Sequence, residues 1–297
     1  MTVELFDEIE LAGQVEGYWS TAWRRLRRDP IAVSALFVFA VICLLALSAP
    51  WIASEVLQTD PTRQFLTQKF QPPGYAHLLG TDKFGRDNLT RLLYAGRVSL
   101  TVGFIVAAVS LTIGVAVGLL SGYYGGLVDD VANAVIQTML NIPGFFLLIL
   151  LAVAFRPDIL TLAAFLGALG WMGVARQVRG IVYSVKQREY VEAARAIGAG
   201  GTHIILRHVL PNVTSIIIVV AGFEIVGAIL AESGLSYLGL GVQPPDASWG
   251  NMLYGSLDYI RTAWWLVASP GFAIFITVLC IFLVADGLRD ALDPRMR

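Results

Sequence analysis

The sequence predicts an all-α, polytopic membrane protein with six transmembrane helices, and three observations carry that expectation. Of 297 residues, 56% are hydrophobic and 14% charged, where a soluble domain has about 25% charged. The mean hydropathy is +0.68. Long windows also hold almost no Asp, Glu, Lys or Arg, whereas a soluble chain would break its apolar runs every few residues with a wet face. This composition excludes disorder, collagen-like repeats and coiled coil. With 21 basic and 22 acidic side chains and no concentrated basic face, no nucleic-acid partner is expected. Cys43 and Cys280 each sit inside an apolar run and read as small buried hydrophobes, not as a disulfide or metal centre.

A bilayer core of about 30 Å needs about 20 apolar residues per helix. The windows that qualify are Ile31–Ala53, Val98–Tyr124, Val131–Phe155, Ile159–Ala175, Val213–Ala231 and Ala263–Ala285. The fourth is short and the fifth contains Glu224. The first run is too long for the apolar stretch of a signal peptide and follows a polar tail, so it reads as an uncleaved anchor. Lys and Arg near the span ends set the orientation. Arg24, Arg25, Arg27 and Arg28 precede span one, Arg176, Arg179, Lys186, Arg188, Arg195 and Arg207 follow span four, and Arg289, Arg295 and Arg297 follow span six. That side, with both termini, is therefore assigned to the cytoplasm.

Within the spans, Gly114, Gly118 and Gly122 line one face of the second helix and predict close approach of another helix. The third carries Asp129, Asn133, Gln137 and Asn141 at four-residue spacing. That polar stripe either lines an aqueous translocation pathway or hydrogen-bonds to neighbouring helices. Pro143 with Gly144 then predicts a kink. In the fifth span, Glu224 must be protonated, paired or wet, because an unpaired carboxylate at membrane depth costs about 2–3 kcal/mol or more. It joins Asn133, Gln137 and Asn141 as a pathway candidate.

Enzyme chemistry finds no support. His77, His203 and His208 lie outside the spans, away from any Ser at membrane depth, and their spacing suits no metal pair. Lys69, Lys83 and Lys186 follow Gln, Asp and Val, so the Gly-Lys-Ser/Thr of a phosphate-binding loop is absent from the sequence. No catalytic residue, metal site or cofactor is assigned to this chain.

The stretch from Arg188 to Asn212 reads as two short helices with a flexible joint. Glu189–Ile197 consists of good helix formers, with Tyr190, Ala194 and Ile197 expected on one face. Gly198 suits a left-handed C-terminal cap, Thr202 an N-cap, and Pro211 marks the end of the second piece. Such an amphipathic loop either lies on the membrane surface or meets a partner. Its residues Glu192-Ala193-Ala194, then Gly198, His208 and Leu210-Pro211 resemble the EAA loop of ABC importer membrane subunits.

The resemblance continues through Gly80-Thr81-Asp82, Gly85-Arg86-Asp87, Gly96-Arg97-Val98-Ser99-Leu100, Leu235-Ser-Tyr-Leu-Gly-Leu-Gly241, Pro244-Pro245, Ser248-Trp249-Gly250, Pro270-Gly271 and the ending Asp286–Pro294. It is to the dipeptide and oligopeptide permease family, C-type subunit. The departures are Ala134 and Gln137 where relatives often carry Arg and Asp, together with Glu224 and Phe282.

The resemblance implies an N-terminal anchor (1–75) and a five-helix importer core (76–297) whose coupling loop is 189–212. Glu189, Tyr190, Glu192, Ala193, Ala194, Arg195, Gly198, His208 and Pro211 would contact two cytoplasmic ATPase subunits, which bind the ATP and Mg. A homologous B-type subunit would complete the pore in the inner membrane. An extracytoplasmic solute-binding protein would dock near Leu235, Tyr237, Gly239, Gly241 and Trp249. Peptides are the expected cargo, with nickel, glutathione or oligosaccharide as alternatives within the family. A self-sufficient transporter with Glu224 as proton carrier is the competing class, and the lack of an evident inverted repeat counts against it.

Overall fold

The computed structural model describes residues 18–155 and 157–292. The tail before Tyr18, Arg156, and the end of the chain with Pro294, Arg295 and Arg297 lie outside the described residues. Helix α1 (Tyr18–Arg28) is amphipathic, with Ala22 and Leu26 inward and Arg27 stacked on Trp23. It is followed by α2 (Pro30–Leu47), whose N-terminus is capped by the Asp29 carboxylate accepting from the Ile31 and Ala32 amides. Only Ala32, Ala35 and Ala46 of α2 are buried. Phe39, Ile42 and Cys43 are half-buried on the core, and most of the remaining surface is apolar and exposed, as a lipid-facing anchor requires. The apolar window expected to Ala53 divides: α2 stops at Leu47 and a helical turn leads into a π-helical turn at Ile52–Leu57.

The longest element is α3 (Asn88–Tyr124). Its 37 residues span about 55 Å at 1.5 Å each, so it starts well outside a 30 Å hydrocarbon layer. Helix α4 (Gly126–Leu140) and helix α5 (Gly144–Phe155) form the third span, bent by 74° between them. Pro143 and Gly144 thus produce a break, not a gentle kink. Helix α6 (Ile159–Val185) runs ten residues beyond the window expected for the fourth span.

The next elements are the short helices α7 (Glu189–Ala196) and α8 (Gly201–Ile204). A π-helical turn at Ile205–Val209 then passes directly into α9 (Leu210–Tyr237), the fifth span. After α10 (Trp249–Leu253), α11 (Trp265–Leu292) provides the sixth. Among the described residues five helices are long and apolar enough to cross a membrane, and the bent pair, taken as one broken span, brings the number to six.

Glycines on facing helices set the central packing. A Cβ at Gly118 would lie 2.7 Å from the Ala175 carbonyl oxygen, and at Gly114 2.5 Å from Val174 Cβ. Gly122 meets Val182 in the same way, while Gly167 of α6 receives Val109 of α3. The backbones of α3 and α6 therefore touch along several turns, as the small-residue spacing predicts. Similar contacts place α9 on α11 through Gly222 and Ala285, and α11 on α2 through Gly287 and Ala32.

The two ends of the bundle follow from cross-chain bonds. At one end Lys186 donates to the Gly122 carbonyl and Gly287 packs on Ala32 beside Asp29. At the other, the Trp249 indole donates to Leu92 and the Trp265 indole to Thr81. Both the first and last described residues lie at the α7 end, and residues 58–87 and 238–264 form a lobe at the opposite end.

Substituting Gly118 by Leu forces apart two helices already in backbone contact, and overpacking of this kind costs about 1–3 kcal/mol. Thermal unfolding of the purified chain should show a clearly lowered midpoint. Gly173→Ala, on the same helix pair but with nothing within 4 Å of the added carbon, should leave the midpoint unchanged or slightly raised.

Candidate functional site: the 186–212 loop and the polar clusters

Helix α7 starts at Arg188, and Glu189 and Glu192 occupy its first turn, where carboxylates favour the positive end of the helix dipole. Its inward face is Val191 and Ala194, three residues apart, packed on Val182, Ile204, Ile205 and Val209. The expected face of Tyr190, Ala194 and Ile197 is therefore corrected. Val191 is 0% exposed, whereas Ile197 is 86% exposed and Tyr190 lies at the surface. Glu189, Glu192, Ala193 and Arg195 share that outer surface. Ala194 faces the base, so it cannot itself touch a partner.

The loop turns at Gly198, whose φ of +85° places it in the left-handed region with open space around it. Its amide and that of Ala199 close the helix end on the Arg195 and Ala194 carbonyls. Glycine is thus required by backbone conformation and not by crowding. Thr202 does not cap α8: Gly200 holds the N-cap position without a side-chain bond. Pro211 opens α9 in its first turn instead of ending the preceding piece, a position where its missing N–H costs nothing. Half-buried His208 stands with its ring centroid 6.3 Å from Tyr190 and 6.0 Å from His203. An exposed helix of mixed charge with aromatic and aliphatic tips therefore sits on a firm hydrophobic base.

Directly behind this loop is an ion-paired cluster in which the first residue of the polar stripe follows the helix-bonding alternative. Asp129 is buried and pairs with Arg179 on α6, whose Nη2 donates at 2.7 Å, and it accepts from the Tyr183 hydroxyl at 2.6 Å. The stripe is thus divided. Asn133 is half-buried, whereas Gln137 and Asn141 are exposed, with Asn141 Nδ2 bonded to the Gln137 carbonyl at 2.8 Å. Glu224 on α9 is half-buried, its carboxylate adjoining Gly170 of α6 on the side where Ser110 of α3 also lies.

A second carboxylate, Glu232, escaped the sequence reading because the fifth span was ended at Ala231. It is 0% exposed and accepts from Ser236 Oγ at 2.6 Å and Ser99 Oγ at 3.1 Å. Ser99 in turn accepts from the Trp249 amide, and Ser236 from the Val242 amide. The local signal was available: a serine four residues after a Glu on a helix can reach its carboxylate. This network fastens the loop after α9 to α3.

Among the docking candidates, Leu235, Gly241 and Trp249 are buried and belong to that scaffold, so they cannot form the contact surface assigned to them. Tyr237 is exposed. Gly239, with φ +79°, is half-buried against the Tyr254 ring.

The motifs preceding α3 also have a structural basis. Asp87 caps α3 through the Thr90 amide and pairs with His77 at 2.9 Å. The Asp82 carboxylate accepts from the Phe84 and Arg86 amides and the Arg86 side chain. Gly85 has φ +73°, and any side chain there would overlap the Phe65 carbonyl.

Six membrane crossings, a bent third span and a protruding helix between the fourth and fifth define a helical permease fold. A family model for the binding-protein-dependent transport system inner membrane component matches residues 114–297. A second, for the N-terminal transmembrane domain of oligopeptide transport permease C, matches residues 17–73. The chain belongs to this family of multi-pass inner-membrane permease components.

It is 39% identical over 281 residues to the dipeptide transport system permease protein DppC of Bacillus subtilis, covering 94% of this chain and 87% of that one. It is also 39% identical over 291 residues to the oligopeptide transport system permease protein OppC of Haemophilus influenzae, with 98% and 92% covered. Against the OppC of Escherichia coli K12 the identity is 37% over 297 residues, covering 100% and 97%.

Glu232→Leu removes the acceptor shared by Ser99 and Ser236 and strands their hydroxyls, a loss of about 1–3 kcal/mol. Limited proteolysis of the purified chain should then cut within residues 238–264 markedly faster than in the wild type. Equal cutting rates would show that the network does not hold the loop.

Proposed function

We propose that this chain is one of two membrane subunits of an ATP-driven peptide importer and that α7 receives the force-generating ATPases. The carrying observation is the division of α7 into a buried Val191–Ala194 base and an exposed outer face ending at Ile197. A helix rigidly seated on the ends of α6 and α9 transmits a push to both spans without first deforming. The relatives' names, dipeptide and oligopeptide permeases, support peptides as cargo.

In this reading the α7 end, with both termini, faces the cytoplasm, and the lobe of residues 58–87 and 238–264 faces outward. Glu189, Tyr190, Glu192, Ala193, Arg195 and Gly198 form or shape the contact with two ATPase subunits, which hold the ATP and Mg. Ala194, His208 and Pro211 support it from beneath. A homologous B-type subunit completes the pathway, because six helices with exposed Gln137 and Asn141 leave polar groups that lipid does not satisfy. An extracytoplasmic solute-binding protein delivers the cargo to the outer lobe. Alternating access then follows as rocking of the two bundles.

Gly198→Pro tests the lever. Proline cannot adopt φ +85°, so the end of α7 must reshape. The variant should insert and accumulate normally, yet lose peptide uptake by at least an order of magnitude. Undiminished uptake refutes the coupling role. Sidedness is tested separately by replacing Ile197 with Cys and treating intact cells with an impermeant thiol reagent. Labelling is expected only after permeabilisation, and labelling of intact cells would reverse the orientation.

A further inference from the structure

At the lobe opposite α7, a cavity of about 410 Å³ opens between the segment that enters α3 and the loop after α9. That volume is within the range of small-ligand sites, about 300–1,000 Å³. Its walls carry three cations, Lys83, Arg86 and Arg91, against two carboxylates, Asp82 and the exposed Asp246. The charge of Asp82 is already committed, since it accepts from Arg86 through both Nε and Nη2 at 2.6 Å and from two backbone amides.

Arg91 shares that one carboxylate with Arg86 as a longer ion pair. It is 7% exposed, and Asp82 Oδ2 lies 3.7 Å from its Nε, beyond hydrogen-bond reach. Its guanidinium donates to one carbonyl, that of Pro61, at 3.1 Å. Lys83 has no carboxylate within 4 Å among the described residues. Its ammonium instead stands 5.5 Å from the Phe84 ring centroid and 5.8 Å from that of Tyr254.

The neutral side chains cannot supply the missing negative charge, and two of the lining amides already have their donors engaged. Gln243 Nε2 is bonded to the Gly239 and Gly241 carbonyls, and Asn251 Nδ2 to those of Val242 and Asp246. Lys83 and Arg91 are the cationic donors, beside the neutral Gln64 amide and the Tyr254 and Tyr259 hydroxyls, of a cavity that also has aromatic and apolar surface in Phe84, Tyr254 and Met252. Two arginines on one carboxylate, with Lys83 beside them, leave positive charge in excess, which is costly away from bulk water, and an anion borne on an organic body answers that cost.

We propose that this cavity is a carboxylate-receiving site, with Lys83 and Arg91 binding the carboxylate and the aromatic walls holding what carries it. This rests on the importer reading for its outward placement. Two sources share the chemistry: the C-terminal carboxylate of a short peptide, and an Asp or Glu side chain of the protein that delivers solute.

The test compares wild type, Lys83→Gln and Lys83→Arg in the complete transporter, purified with its partners in nanodiscs. In one arm, trialanine and trialanine amide are titrated calorimetrically without the delivery protein. In the other, solute-loaded delivery protein is titrated and ATP hydrolysis measured. If the peptide terminus is the ligand, trialanine binds wild type, while the amide and the Lys83→Gln variant each weaken binding at least fivefold. If the ligand is an acidic side chain of the protein, Lys83→Gln raises the half-maximal concentration of delivery protein at least fivefold with the maximal rate unchanged. In either case Lys83→Arg stays near wild type, and either result supports the site.

Lys83→Gln indistinguishable from wild type in both arms overturns it, as does absence of trialanine binding together with an unchanged half-maximal concentration. Failure of the importer reading is separately visible, because no ATPase would then co-purify. Trialanine titration alone then decides the cavity, and no binding, or binding insensitive to Lys83→Gln, overturns it.

Discussion

Backbone contact between α3 and α6 is the constraint on which the other features depend. Lipid is as apolar as leucine, so helices in a bilayer gain little by hiding hydrophobic surface from it; association comes from close van der Waals contact and hydrogen bonds. Gly114, Gly118 and Gly122 accept Val174, the Ala175 carbonyl, Val178 and Val182 at distances that leave no room for a methyl group. This contact fixes the position of α6, and α6 in turn supplies the end on which the 186–212 loop is seated. It also brings Ser110 and Gly170 together where Glu224 arrives from α9.

Polar bonds then lock each end of the bundle, with different chemistry. Near α7 the bonds are ionic: Arg179 to Asp129, and Lys186 to the C-terminal carbonyl of Gly122. At the outer end Glu232 is held by serine hydroxyls in a fully buried position. A partly hydrated ion pair exchanges readily with water and salt. A buried carboxylate within a hydroxyl network gives up its partners only at high cost.

The sequence made the crossings legible and their limits illegible, for one reason. Apolar windows report where charge is absent, but a helix need not stop where charge begins. Arg179 looked like the far side of a span end, yet α6 continues to Val185, with Asp129 receiving both that arginine and the Tyr183 hydroxyl. Glu232 was placed in a loop, although α9 continues past it to Tyr237. The break at Pro143 and the glycine face of α3 were readable because each follows from local chemistry. The orientation of α7 was not, because Val191 turns inward only in response to Val182 and Val209, which are distant in sequence. The same limit hid the burial of Leu235 and Trp249, whose neighbours come from α3 and the outer loop.

The unbroken course of α3 has a further mechanical consequence. A single 37-residue rod begins at the Asp87 cap in the outer lobe and ends at Tyr124, whose ring lies against Gly201 beside the inner loop. It has no proline and no bent joint along its length, so tilting it by a few degrees displaces both tips in opposite directions at once. A load applied at one tip would thereby reach the other as simple leverage, without a relay of intermediate contacts.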